Sequence, residues 1–155
     1  MNQLVLFTLI SLSVLASAWD RPSHWGNPCY LCKCFIEYTD RDVASHIRPY
    51  AMAADGYDST EDRCLATCQR DPRCHAAVFG MVGGRQVFTC EFYEEIDAHN
   101  SPTYTSFINI YYKRATCPLS NSHLPSVSMI PADDSSVKRR IKKEKKMGRK
   151  NPFFG

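Results

Sequence analysis

The sequence predicts a small, disulfide-rich α+β domain with one helix packed on an antiparallel β-sheet. Three observations lead there. The chain has 155 residues, and its eight cysteines all fall between Cys29 and Cys117. That density in a short window points to a disulfide framework supporting a modest core. One segment, starting at Ser59, combines helical spacing with the chemistry of a helix start. The remaining patterned segments are short β-prone runs, giving the order strand, helix, hairpin, strand.

At the N-terminus, Leu4 to Leu15 reads LVLFTLISLSVL and is followed by Ala16-Ser17-Ala18, the small-x-small pattern of a signal-peptidase site. The run is too short for the ~20 apolar residues of a bilayer-spanning helix. Residues 1–18 are therefore expected to be a cleaved signal peptide, with a mature chain starting near Trp19. No other segment is a candidate span. Residues 19–33, with two prolines, two tryptophans and the extra pair Cys29 and Cys32, read as an irregular lead-in.

Phe35-Ile36-Glu37-Tyr38 is the first strand candidate, apolar and aromatic. Arg48 to Tyr57 contains Pro49, Asp55 and Gly56 and reads as loop or irregular edge. Ser59-Thr60-Glu61-Asp62 then offers a hydroxyl N-cap and two acids suited to the positive end of a helix dipole. Cys64, Leu65 and Cys68 share one helical face, and Pro72 limits the helix to about Thr60–Arg70. Ala76 to Phe79 and Gln86 to Tyr93 flank Gly83-Gly84, a hairpin signal. Ser106 to Lys113 is the last strand candidate. From Pro118 the chain turns rich in Ser, Pro and Asn without an apolar period, so residues 118–155 are expected to be a disordered linker and basic tail.

The eight cysteines allow many connectivities, and spacing alone does not choose among them. Cys64-Leu-Ala-Thr-Cys68-Gln-Arg-Asp71-Pro72-Arg-Cys74-His-Ala-Ala-Val-Phe79, then Cys90-Glu-Phe-Tyr93, resembles the PAN/apple family. Modules of that family carry a Cys-x3-Cys helix, an Asp-Pro-x-Cys turn, an apolar strand and a Cys-aromatic strand. The resemblance extends from Cys34-Phe35 to the closing Tyr111-Tyr112-Lys113, covering roughly residues 34–117. It implies a PAN/apple-like module whose helix is cradled by a curved sheet, with bridges Cys64–Cys90 and Cys68–Cys74. In the apple subgroup a third bridge joins the chain ends, here Cys34–Cys117. Cys29 and Cys32 are outside the family pattern. They could close a small ring, or Cys29–Cys34 could form with Cys32–Cys117. The resemblance also implies noncovalent recognition of an extracellular protein or carbohydrate, with no catalysis and no cofactor.

The residues offer little for chemistry beyond that. Cys29-Tyr-Leu-Cys32 lacks the βαβ context of a redox motif and the second ligand pair of a zinc site. His24, His46, His75, His99 and His123 are scattered and none falls in a catalytic motif. Glu94-Glu95 and Asp133-Asp134 read as solvated pairs. Neither Asn100-Ser-Pro nor Asn121-Ser-His is a glycosylation sequon.

The mild net charge of +3 hides a division. Asp133 to Gly155 carries nine Lys/Arg against three acids, a net +6, which leaves the rest of the chain at −3. Lys138, Arg139, Arg140, Lys142, Lys143, Lys145 and Lys146 form clusters that either merely solvate the tail or contact sulfated, heparin-like glycans. A secreted chain meets such glycans before nucleic acid, so no nucleic-acid partner is expected. The same dibasic pairs, with Gly148-Arg149-Lys150, also suit a precursor cut to release short peptides.

Overall fold

The structure, a computed structural model, describes residues 28–44, 46–56, 59–81, 88–96 and 102–135, with Lys138 and Lys142. The expected signal peptide, most of the lead-in, the Gly83-Gly84 turn and most of the basic tail lie outside these residues. The chain divides into two units, Met1–Tyr30 and Leu31–Gly155, and the second holds every element described below. Among the described residues, no helix is long and apolar enough to cross a membrane.

The fold is α+β. A 3₁₀ turn, Leu31–Cys34, leads into β1 (Phe35–Tyr38), β2 (Arg41–Asp42) and β3 (Ala51–Ala53). Helix α1 (Glu61–Arg70) follows, then β4 (Ala76–Met81), β5 (Phe88–Tyr93), β6 (Thr103–Tyr104), β7 (Ile108–Lys113) and β8 (Met129–Pro131). Six strands form one sheet in the order β1-β7-β4-β5-β3-β8, and β2 pairs separately with β6. All these pairings are antiparallel.

Helix α1 starts where its cap chemistry dictates. The Thr60 hydroxyl accepts the Arg63 N–H, and Glu61 and Asp62 occupy the first turn. Its inward side carries Cys64, Leu65 and Cys68, all fully buried. These meet the sheet face formed by Phe35, Tyr111, Ala77, Phe79, Cys90 and Phe92, residues brought into line by the strand register. Cys64–Cys90 ties helix to sheet, Cys68–Cys74 closes the turn after the helix, and Cys34–Cys117 joins the start of β1 to the segment after β7. Cys29 and Cys32 are likewise disulfide-bonded, so neither offers a thiolate to a metal.

The sheet is also covered on its other face. Val43, Ala76, Val78, Tyr93, Ile108 and Ile110 make a second core there, with Ile47, Ile96 and Tyr112 packed against it. Strands buried on both faces show near-continuous apolar runs instead of alternation. That explains why four successive residues of β7 and five of β4 are buried.

Two expectations need correction. The segment Arg48–Tyr57, read as loop or irregular edge, contains β3, whose three residues are all buried between β5 and β8. Ala51-Met52-Ala53 has no β-branched residue, so its extended state follows from two strand partners and not from propensity. The disorder expected from Pro118 is also overturned through Pro131. Arg70 of α1 donates to the carbonyls of Asn121 and Leu124 and to the Ser126 hydroxyl. The Val127 N–H reaches the Thr67 hydroxyl at 2.9 Å, and β8 then completes the sheet against β3. A segment with few apolar side chains is thus ordered by hydrogen bonds from the helix's polar side, which composition does not reveal.

The Asp71-Pro72-Arg73-Cys74 turn is held by one carboxylate. Asp71 accepts from Tyr50 Oη at 2.7 Å and from the Arg73 N–H at 2.9 Å, while Arg73 lies over the Tyr50 ring. Lys113 Nζ donates to the Cys68 and Asp71 carbonyls at the helix end. Partial desolvation alone would raise the Asp71 carboxyl. The Tyr50 and Arg73 hydrogen bonds, with the Arg73 and Lys113 charges, outweigh it and hold it below its ordinary value. A lowered folded value means stability that is present above the unfolded pKa of about 4 and is lost as pH falls through the folded one. Asp71→Asn should therefore be less stable than the parent at pH 7, with the gap closing in acid. Urea midpoints at neutral pH and near pH 3 check this; a gap constant with pH would refute it.

Candidate functional site

One end of the sheet gathers large side chains that the fold leaves in solvent. The turn between β1 and β2 and the turn before β7 meet there through Asp40 and Phe107. Both residues have positive φ, 51° and 65°, a conformation that aspartate adopts readily but that is uncommon for a side chain as large as Phe107, where surrounding contacts must hold it. The contacts are on hand. Asp40 Oδ1 accepts the Phe107 N–H at 3.0 Å, and the Asp40 carbonyl accepts the Thr105 N–H at 3.1 Å. The Asp40 N–H in turn donates to Asn109 Oδ1 at 3.1 Å.

Asn109 connects this turn to the core. It is fully buried, and its Nδ2 donates to Glu37 Oε1 and to the Tyr111 hydroxyl, each at 3.0 Å. Tyr111 donates onward to Glu61 in the first turn of α1. Burial, reinforced by the neighbouring Glu61 charge, raises the Tyr111 hydroxyl well above its ordinary value, so it stays a donor. A chain of hydrogen bonds therefore runs from the helix start to the exposed turn and holds it in place.

The Phe107 carbonyl is fixed from the opposite side by the Met81 N–H at 2.8 Å, next to Gly80. Gly80 has φ +151° and lies so close that a Cβ there would fall 2.2 Å from the Phe107 oxygen. Only glycine allows that approach.

What the turns present is aromatic and cationic. Tyr104 is 67 % exposed and Phe107 52 %, with Tyr38 and Ile36 nearly half exposed on β1. Arg41, paired with Tyr104 across β2 and β6, places its guanidinium 5.3 Å from the Tyr104 ring centroid. Its Nη1 donates to the Asp40 carbonyl at 3.0 Å, and among the described residues it makes no ion pair. Tyr38 meets Tyr112 edge to face at 5.5 Å, joining this cluster to the rim of the outer core.

The residues singled out from sequence fall elsewhere. The six cysteines Cys34, Cys64, Cys68, Cys74, Cys90 and Cys117 are paired in bridges that support the fold. Lys138 and Lys142 are exposed and helical, whereas Arg139, Arg140, Lys143, Lys145 and Lys146 lie outside the described residues. His46, His75 and His123 are exposed on separate segments, and His24 and His99 are outside the described residues. Glu94 pairs with Arg73 at the surface. Sequence reading did not identify Arg41, Tyr104 or Phe107. Tyr104 precedes the last strand candidate and Phe107 lies within it, where the sequence marks it as a strand residue and not as a surface one; the exposure of both is a property of the fold. In comparisons with known proteins, no family model matches the chain, and no curated protein or solved structure matches it.

Proposed function

We propose that the chain is a secreted, non-enzymatic binding module of PAN/apple type, recognising an extracellular protein or carbohydrate through the surface around Arg41, Tyr104 and Phe107. The observation that carries this reading is the set of exposed rings held on two positive-φ turns. Exposed apolar residues scattered singly need no explanation, whereas a clustered set with an arginine has the composition of binding hot spots. Strained turns braced by a buried network keep such a set preorganised, which lowers the ordering cost of association. The bridges Cys64–Cys90, Cys68–Cys74 and Cys34–Cys117 coincide with those the resemblance implies, and disulfide-bonded cysteines suit an oxidising, extracellular setting.

The basic tail adds an electrostatic contact to sulfated, heparin-like glycans. Each exposed lysine contributes little, and salt screens it over about 8 Å at physiological strength. On a heparin column the mature chain should elute at clearly higher salt than a version ending at Pro131. Equal elution would remove the tail's role. The folded surface is tested separately: the Pro131 version should bind members of a panel of extracellular proteins and glycans, and Tyr104→Ala with Phe107→Ala should abolish that binding. A panel that captures nothing would overturn the reading.

A further inference from the structure

The two edges of the main sheet are not alike. β8 closes one edge and ends in Pro131, a residue that cannot donate to a further strand. Among the described strands β1 forms the other edge, pairs with β7, and reads Phe-Ile-Glu-Tyr without a proline or lysine; Arg114 Nε already takes the Phe35 carbonyl at 3.1 Å. Ile36 and Tyr38, alternate residues of β1, share the face away from α1, and both are nearly half exposed. Three residues beyond the strand, past the turn at Asp40, Arg41 offers a guanidinium without an acidic partner among the described residues, stacked on Tyr104.

We infer that this edge docks an extended segment of a partner protein that carries an acidic side chain beside apolar ones. The inference rests on the binding-module reading and names its partner. Charge complementarity specifies the acid: Arg41 is half-buried, braced by the Asp40 carbonyl and the Tyr104 ring, and its remaining donors suit a bidentate carboxylate. The edge of β1, which carries no further strand among the described residues, specifies a peptide, because a peptide backbone supplies N–H and C=O groups that match those of the strand beyond the Phe35 carbonyl and a saccharide does not. Ile36 favours the same choice. An aliphatic side chain gives a peptide's apolar residue a contact and gives a sugar ring no stacking face. Tyr38 and Phe107 extend that apolar contact on either side of the turn.

The test is selection of short random peptides displayed on phage against the full mature chain. Enrichment of sequences with an acid flanked by apolar residues is the expected result. Arg41→Glu should switch the enriched set from acidic to basic peptides, a reversal that a merely structural arginine would not produce. Phe107→Gly removes the ring while relieving its positive φ, so this variant should fold at least as well and bind the wild-type peptides at least tenfold more weakly. No consensus, a consensus without acids, or an unchanged set in Arg41→Glu would overturn the inference. Acidic saccharides binding through the same residues, with no peptide enriched, would overturn it too, while leaving the binding-module reading in place. Binding to neither peptides nor the protein and glycan panel would remove both.

Discussion

Gly80→Ala should destabilise the domain by about 2–4 kcal/mol and loosen the turn that presents Phe107. The added methyl would meet three backbone atoms, Phe107 O at 2.2 Å, Ile108 Cα at 2.7 Å and Phe107 C at 3.0 Å. Backbone cannot rotate aside as a flexible side chain can. The φ of +151° adds strain for any L side chain. Relief requires β4 and β7 to separate where Gly80 faces Ile108, in the interior of the sheet. Guanidinium unfolding measures the loss of stability, and hydrogen exchange of the Met81 amide, which donates to the Phe107 carbonyl, measures the loosening. An unchanged midpoint would show that the two backbones are not in this close approach. Because Phe107 stands on the displaced segment, ligand binding should weaken along with stability.

Removing the Cys64–Cys90 bridge should cost more than removing Cys68–Cys74. The first spans 26 residues and the second 6. Loop-closure entropy assigns them about 3.5 and about 2 kcal/mol, on a model whose mechanism is debated. All four cysteines are fully buried, so removing either bridge also leaves unfilled space. What holds the chain once the bridge is gone widens the difference in the same direction. Cys68–Cys74 spans a turn that Asp71, Tyr50, Arg73 and Lys113 already hold. The paired substitutions Cys64→Ala/Cys90→Ala and Cys68→Ala/Cys74→Ala, compared by urea unfolding, test the ranking. Equal losses would mean that the helix-to-sheet bridge adds nothing beyond local closure.

Much of the fold was legible because its signals are local. Helix α1 could be bounded from Thr60 and Pro72, since a cap hydroxyl and a ring that cannot continue the helix act within a turn of their own position. Strands β1, β4, β5 and β7 each contain an apolar or aromatic run long enough to stand out from its neighbours. β2, β6, β3 and β8 have two or three residues each, too few to express a period. Their extended state exists because a partner strand is present. Likewise, Ser120 to Ser128 reads as linker by composition, and Arg70 and Thr67 of the helix order it from outside the segment.

The candidate site was less legible than the fold. Arg41 and Tyr104 lie in segments whose patterns predicted nothing, Phe107 was marked only as part of a strand candidate, and the basic run that did attract notice is mostly outside the described residues. A binding surface depends on which side chains are left uncovered once the core is complete. Ile36 is exposed and Ile110 is buried on the same face of the sheet, with identical local chemistry.

The sequence by itself determined the α+β class, the helix and its ends, the long strands and the cysteine-dense framework, because propensity, capping and side-chain periodicity act over a few residues. Only the tertiary structure decided the rest: the second core on the outer face, the strap from Ser120 to Pro131, and the aromatic end of the sheet. Each is created by contacts between residues far apart in the chain, such as Asp40 with Phe107 and Thr67 with Val127. Neither partner of such a pair carries a local mark of the other.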